Sequence, residues 1–401
     1  MTSDLTTLPL GAVLSRRNAL RLALVTAPAL AGLSIPTMAS AAPSRPTGSD
    51  YVRYEDLYRS GDDLHGVLNR VTDNRILTLP TGTFTVRDFR NGYYDGIRIG
   101  SGGASGCRGL VGSGRSTVIS VASNSATRTR SDNYAGNQLA IAGKPGAVLS
   151  NFTVKGYDQG GKIYGGIVVN GCPDAQLSWL YLKGASRGYS QRPPGETFGL
   201  NVMNSPRVTL FDSEVDGRDE GGTRVGASPI GWNNTSDAKV YRTYCHHGVA
   251  GMLTFYNVTN IYTEDYKAFA TSSGPGTLTG SGINHEQSQG TIKHVRPSLF
   301  INGAYSRASG ASGSTGMHVS LQNTKTDVPD FQVFDPTFDP GPGSTGMFAF
   351  SIRDGYTVDG VKNKMRTPPK VRLKGVWLQA SHHPHSGWGD RDPDRFYSWV
   401  H

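Results

Sequence analysis

One short phrase recurs through the back two-thirds of the chain. A turn residue, usually Gly, leads into an apolar residue, then alternation, then a polar stop. It reads GIVVNG from Gly166, GLNVMN from Gly199, PIGWNN from Pro229, GMLTFYN from Gly251, GINHEQ from Gly282, GMHVSLQN from Gly316 and GMFAFS from Gly346. The starts fall roughly 22 to 34 residues apart, the interval of a solenoid in which each repeat is one coil. Apolar residues alternate within each copy, which is the period of a strand and not of a helix. The pattern predicts an all-β chain, a single-stranded right-handed parallel β-helix.

A second strand follows each phrase: LSNFTVKG from Leu149, LSWLYLKG from Leu177, LFDSEVDG from Leu210, VYRTYCHHG from Val240 and IYTEDYKAF from Ile261. Stacked coils lie about 4.8 Å apart, so equivalent residues of successive coils become neighbours and sequence repeats become surface columns. The 52 glycines of the 401 residues are expected at the coil corners, where φ is often positive. Before the first coil, Leu57, Leu64, Val67, Leu68 and Val71 have near-helical spacing behind Asp62 and Asp63. They predict an N-terminal capping helix over the open apolar end of the stack.

Residues 1–41 read as an export leader. Ser15-Arg16-Arg17-Asn18-Ala19-Leu20-Arg21 resembles the twin-arginine signal, departing where Phe is usual and Ala19 stands. The apolar stretch from Leu20 to Ile35 is interrupted by Pro28, too short to span a bilayer, and Ala39-Ser40-Ala41 suits cleavage. Residues 42–49 form a Pro/Ser/Gly linker and 50–401 the β-helix domain. The expected location is outside the cytoplasm. Removing the leader's three Arg and one Asp lowers the formal charge from +9 to +7, which fits an acidic polymer as partner. The basic residues are dispersed without interleaved aromatics, so nucleic acid is not expected. The odd count of Cys107, Cys172 and Cys245 allows one disulfide at most, and Cys172 and Cys245, in strand-rich repeats, suit buried small hydrophobes in the stack.

Two segments carry a resemblance. ILTLPTGTFTV, from Ile76 to Val86, and LVGSGRSTVISV, from Leu110 to Val121, resemble the opening strands of the pectate-lyase-like superfamily. That resemblance implies the β-helix fold for nearly the whole mature chain. It leaves activity open among lyases, hydrolases, tailspikes and adhesins. His246-His247-Gly248 and Thr291-Ile292-Lys293 are similar to two short signatures of pectin-type glycosidases, whose remaining acidic signatures have no clean counterpart here.

Two columns carry candidate chemistry. With Ile167, Leu200, Ile230, Met252, Ile283, Met317 and Met347 facing inward, the outward strip holds Asn201, Asn233, Asn284, Glu286 and His318, with Leu253, Phe255, Phe348 and Phe350 beside them. Amides, a carboxylate and aromatic faces in line suit a sugar groove, and His285 points into the core. Aligning the ends of the second strands stacks Lys155, Lys183, Asp216, His246 and Lys267, with Arg218, Asp219, Glu220 and His247 in adjoining loops. The expected catalytic residues are Asp216, Asp219, Glu220, His246 and Glu286. Lys183, Arg218, Lys267, Asn201, Asn233, Asn284 and His318 are the expected substrate-binding residues.

Two carboxylates about 6.5–9.5 Å apart would serve an inverting hydrolase. A cation that neutralises a uronate, with His246 as base, would serve a lyase. The expectation is an exported polysaccharide-degrading enzyme, hydrolase ahead of lyase, whose partner is a polysaccharide. The alternative is a non-catalytic glycan-binding or tailspike-like β-helix. No cofactor is expected beyond a conceivable calcium ion at Asp219 and Glu220. The tail cluster His382, His383, His385 and Asp390 is expected to be a polar tail and no metal site.

Overall fold

The computed structural model describes residues 48–86, 96–121, 134–155, 158–159, 162–183, 198–217, 228–247, 251–271, 281–302, 314–321, 330–340, 344–352, 357–358, 361–362, 370–374 and 398–400. The leader, Arg218, Asp219, Glu220 and the cluster from His382 to Asp390 lie outside these residues. Strands dominate, and every pairing is parallel except two short hairpins.

Three parallel ladders run through successive coils. The first joins Ile97–Gly100, Tyr134–Ala142, Lys162–Asn170, Phe198–Met203, residues 228–233, residues 251–256, Ser281–Glu286, Ser314–Leu321 and Ser344–Ile352. The second runs from Tyr51–Arg53 through residues 176–178, 235–241 and 258–264 to Ser398–Val400. The third joins Gly82–Val86, Thr117–Val121, residues 153–155 and 181–183, Glu214–Asp216, Tyr244–His246, Lys267–Thr271, Ser298–Asn302 and Thr337–Pro340. A chain that returns to the neighbouring position of each ladder once per turn is a parallel β-helix, in the right-handed sense of parallel strand crossovers.

Alternation places the core. In the first ladder Leu139, Ile167, Leu200, Ile230, Leu253, Ile283 and Met317 stack in register and are fully buried. Two residues along, Trp232, Phe255 and His285 form an internal column. Trp232 and Phe255 stack with centroids 6.4 Å apart, and Phe255 and His285 with centroids 5.1 Å apart. His285 therefore faces inward and Glu286 outward, as the alternation predicts. Trp232→Ala should cost about 3–5 kcal/mol, because the neighbouring coils cannot collapse into the space it leaves; denaturant unfolding of the variant measures this.

The strip departs from expectation at two copies. Leu253, not Met252, continues the column of Ile230 and Ile283, and Phe348, not Met347, pairs with Met317. Gly251 and Gly346 align with Ser281 and Thr315, one residue ahead of the neighbouring phrases' glycines. Leu253 and Phe255 are consequently buried. In the register Phe348 pairs with Met317 and Phe350 with Val319. The outward positions belong to Thr254 and Tyr256.

Corners also differ from expectation. Among the described residues eighteen non-glycine residues have positive φ, against ten glycines. The corner between the second and third ladders stacks Asp212, Arg242, Asp265, Arg296 and Asp335, each with φ between 40 and 53°. Asp tolerates this left-handed region; Arg does so at a cost of about 1–2 kcal/mol. Arg242 forks onto Asp212 at 2.7 and 2.9 Å, and Arg296 onto Asp265 at 2.8 and 3.0 Å. Ion pairs at the surface offset little of that cost.

The capping helix is shorter than predicted, Leu64–Leu68, with a separate turn over Tyr54–Leu57. Asp63 caps it by accepting from the Gly66 amide at 2.9 Å, while Asp62 pairs with Arg70. Leu64, Val67, Leu68 and Val71 are buried beneath the first coil. The three cysteines are free and buried, so no disulfide forms. Burial pushes the Cys107 thiol up to about 11 and the Cys245 thiol up to about 12.

Candidate functional site

The third ladder brings titratable groups together at Glu214–Asp216 and Tyr244–His246. Lys155, Lys183, Asp216 and His246 pair in consecutive coils, as the column alignment predicts. Lys267 does not continue it. Phe269 pairs with His246 and Phe300 with Phe269, and these two rings stack at 4.6 Å. Lys267 stands two residues earlier, beside Tyr244, in a second outward row with Tyr181 and Glu214. The corner at Asp265 displaces it: the chain turns there and a new strand starts at Lys267.

Period-two alternation sends Glu214 and Asp216 to the same outward side of one short strand. Between their carboxylates sits the His246 ring. Its Nε2 lies 3.3 Å from Glu214 Oε1 and its Nδ1 lies 3.8 Å from Asp216 Oδ1. His246 and Asp216 are buried, 7% and 6% exposed, and Tyr244 stacks on the imidazole at 4.7 Å. Arg115, from a coil 99 residues earlier, donates to Glu214 Oε2 at 2.8 Å and lies 3.8 Å over the Tyr181 ring. The hydrogen bond from His246, together with the charge of Arg115, holds the Glu214 carboxyl below the ordinary glutamate range. A charged carboxylate only accepts, so Nε2 is the donor toward Glu214, and Nδ1 faces Asp216 and His247.

His247 completes the cluster. Consecutive residues of a strand point to opposite sides, but His247 has φ of 58°, which folds its ring back beside His246. The two Nδ1 atoms are 2.7 Å apart, and His247 Nδ1 is 3.3 Å from Asp216 Oδ1. Sequence reasoning placed His247 in a loop and missed Glu214 and Arg115. Glu214 was findable, two residues before Asp216 in a strand; Arg115 left no local signal.

The expected sugar strip stands on the first ladder, apart from this cluster. Asn201, Gly231, Thr254, Asn284 and His318 share one row, and Asn233, Tyr256 and Glu286 another. Asn233 donates to Asn201 at 2.6 Å, Asn284 to Glu286 at 2.9 Å, and His318 Nδ1 lies 2.8 Å from the Asn284 carbonyl oxygen. The Phe198 ring occupies the space a Gly231 side chain would need. Asn201 and Asn233 are bonded to each other and Asn284 to Glu286 and His318, and Glu286 stands on a different ladder from Asp216.

The ladders define the chain as a parallel β-helix protein. No protein-family model matches it, and no curated protein matches it. Among solved structures it is similar to pectate lyase Pel9A, at 12% identity and TM-score 0.48, over 83% of this chain and 78% of that one. The catalytic domain of a GH87 alpha-1,3-glucanase in complex with tetrasaccharides gives 11% identity and TM-score 0.42, over 89% and 69%. Tailspike protein 2 from Escherichia coli O157:H7 bacteriophage CAB120 gives 13% identity and TM-score 0.47, over 82% and 43%.

Proposed function

We propose that this chain is an exported carbohydrate-active enzyme acting on an acidic polysaccharide along the third ladder. The observation that carries the reading is the His246 imidazole, fixed through Nε2 by Glu214 and facing Asp216 and His247 through Nδ1, with Lys183 beside Asp216 in the register. A carboxylate-held imidazole has the arrangement of an oriented general base. Lys155 and Lys183 are exposed in the same column and suit a uronate carboxylate. In this arrangement Nδ1 takes the proton α to that carboxylate, the electron pair forms a carbon–carbon double bond, and the glycosidic oxygen leaves from the β carbon with its bonding pair and takes a proton from solvent water.

The geometry favours elimination over hydrolysis. An inverting hydrolase leaves room for a water between its two carboxylates, whereas an imidazole fills the space between Glu214 and Asp216. Digestion of a panel of acidic and neutral polysaccharides tests this. Reducing ends that rise together with the ultraviolet absorbance of unsaturated uronates are expected. Reducing ends without that absorbance would return the reading to a hydrolase. Neither signal across the panel would leave the second reading, a non-catalytic glycan binder using the row of Asn201, Asn284 and His318.

A further inference from the structure

We propose that Asp216, His246 and His247 form a binding site for a divalent transition-metal ion of the zinc class. Three donor atoms, Asp216 Oδ1 and the two Nδ1 atoms, form a triangle with edges of 2.7, 3.3 and 3.8 Å. Zinc keeps about 2.0–2.2 Å to such donors, which sets tetrahedral edges near 3.3 Å, and the observed edges bracket that value. The point equidistant from the three atoms lies about 1.9 Å from each, so an ion slightly out of their plane meets all three at zinc distances.

Two independent features support the assignment. Glu214 accepts from Nε2 of His246 and is itself held by Arg115; this carboxylate–histidine support orients ligating imidazoles and fixes the other nitrogen as the ligand. The left-handed backbone at His247 is what brings the second Nδ1 to the first. Backbone strain at one residue persists where the surroundings hold it.

Donor chemistry selects the ion. Two imidazole nitrogens and one carboxylate suit zinc and its transition-metal neighbours, while calcium prefers oxygen donors throughout. Three protein ligands leave a fourth position, the one that a water takes in catalytic zinc sites, and the His247 side chain is 19% exposed. The ion would take the Nδ1 lone pair invoked for proton abstraction. This deepens that reading by moving the acceptor from imidazole to a metal-bound water, while the site itself does not depend on it.

The test is titration of the chelator-treated full chain with zinc and with cobalt(II), followed calorimetrically. The wild type is expected to take up one more equivalent than His246→Ala/His247→Ala, and calcium in excess should not displace it. Glu214→Gln should weaken uptake about 10–100-fold. Equal stoichiometry in wild type and double variant would overturn the site, and so would displacement by calcium. Zinc should also protect the wild-type peptide carrying His246 and His247 from diethylpyrocarbonate. Lack of protection would overturn the site even if the double variant failed to fold. Uptake without polysaccharide turnover removes the functional reading alone; turnover that survives full chelation, without uptake, removes the metal alone.

Discussion

His246→Ala is expected to lower polysaccharide turnover by about 10²–10⁴-fold, the range a positioned general base supplies. The folded state should survive, because His246 is an outward residue of the third ladder and the Glu214–Arg115 pair, at 2.8 Å, does not depend on it. Glu214→Gln is the informative companion. Its amide can donate toward Nε2, so the imidazole loses the interaction that fixes its proton there. Turnover should fall although His246 and Asp216 remain. Lys239→Ala, exposed on the second ladder, should leave turnover within about twofold, as surface substitutions away from a site do. Steady-state rates on the best substrate of the panel check all three. Full activity in His246→Ala would remove the third ladder from the chemistry.

Acid should unfold this protein through two histidines the chemistry does not use. His285 and His294 face one another inside the coil, with Nε2 atoms 3.0 Å apart. Phe255 and Phe331 pack on their rings, and Thr263 Oγ1 lies 2.7 Å from His294 Nδ1. His318 is the further titratable group whose charge acts on His285. Burial pushes His294 down to about 3, and burial followed by the neighbouring histidines pushes His285 well below its ordinary range. Both groups are thus neutral in the native coil at pH values where the unfolded chain has them charged.

The sign follows from proton counting. Below about 6.5 the unfolded chain binds two protons that the native state refuses, so stability falls as pH falls. The loss continues until the native state also accepts them, near 3 for His294. Within that window each histidine contributes about tenfold per pH unit to the unfolding equilibrium. Urea midpoints measured from pH 7 to pH 4 should drop steeply. In His285→Phe/His294→Leu the slope should shrink by about two protons. Identical slopes in both proteins would show that other groups govern the acid limb.

The first ladder was legible because its signal is alternation, and alternation survives without knowing the corners. Leu200, Ile230 and Ile283 fell inward and Glu286 outward on that rule alone. The slips at Met252 and Met347 occurred where two apolar residues follow the turn, so the pattern fits either register. Reading Lys267 into the catalytic column had a different cause. The stretch from Ile261 to Phe269 looks like one strand but contains a corner at Asp265, made of a charged residue and not of glycine. Composition flags glycine turns and passes over aspartate and arginine ones. Lys183, Asp216 and His246 aligned correctly because their coils share the spacing from corner to strand end. Arg115 was beyond reach, since its position over Tyr181 depends on how distant coils stack.

The Asp212–Arg242–Asp265–Arg296–Asp335 corner has a parity. Because charge alternates from one coil to the next, deleting a single coil would set aspartate on aspartate or arginine on arginine at about 4.8 Å. Deleting or duplicating two consecutive coils preserves the alternation. Changes in the length of this chain are therefore expected to be tolerated in even numbers of turns across this segment, and odd changes to need a compensating charge reversal along the rest of the corner.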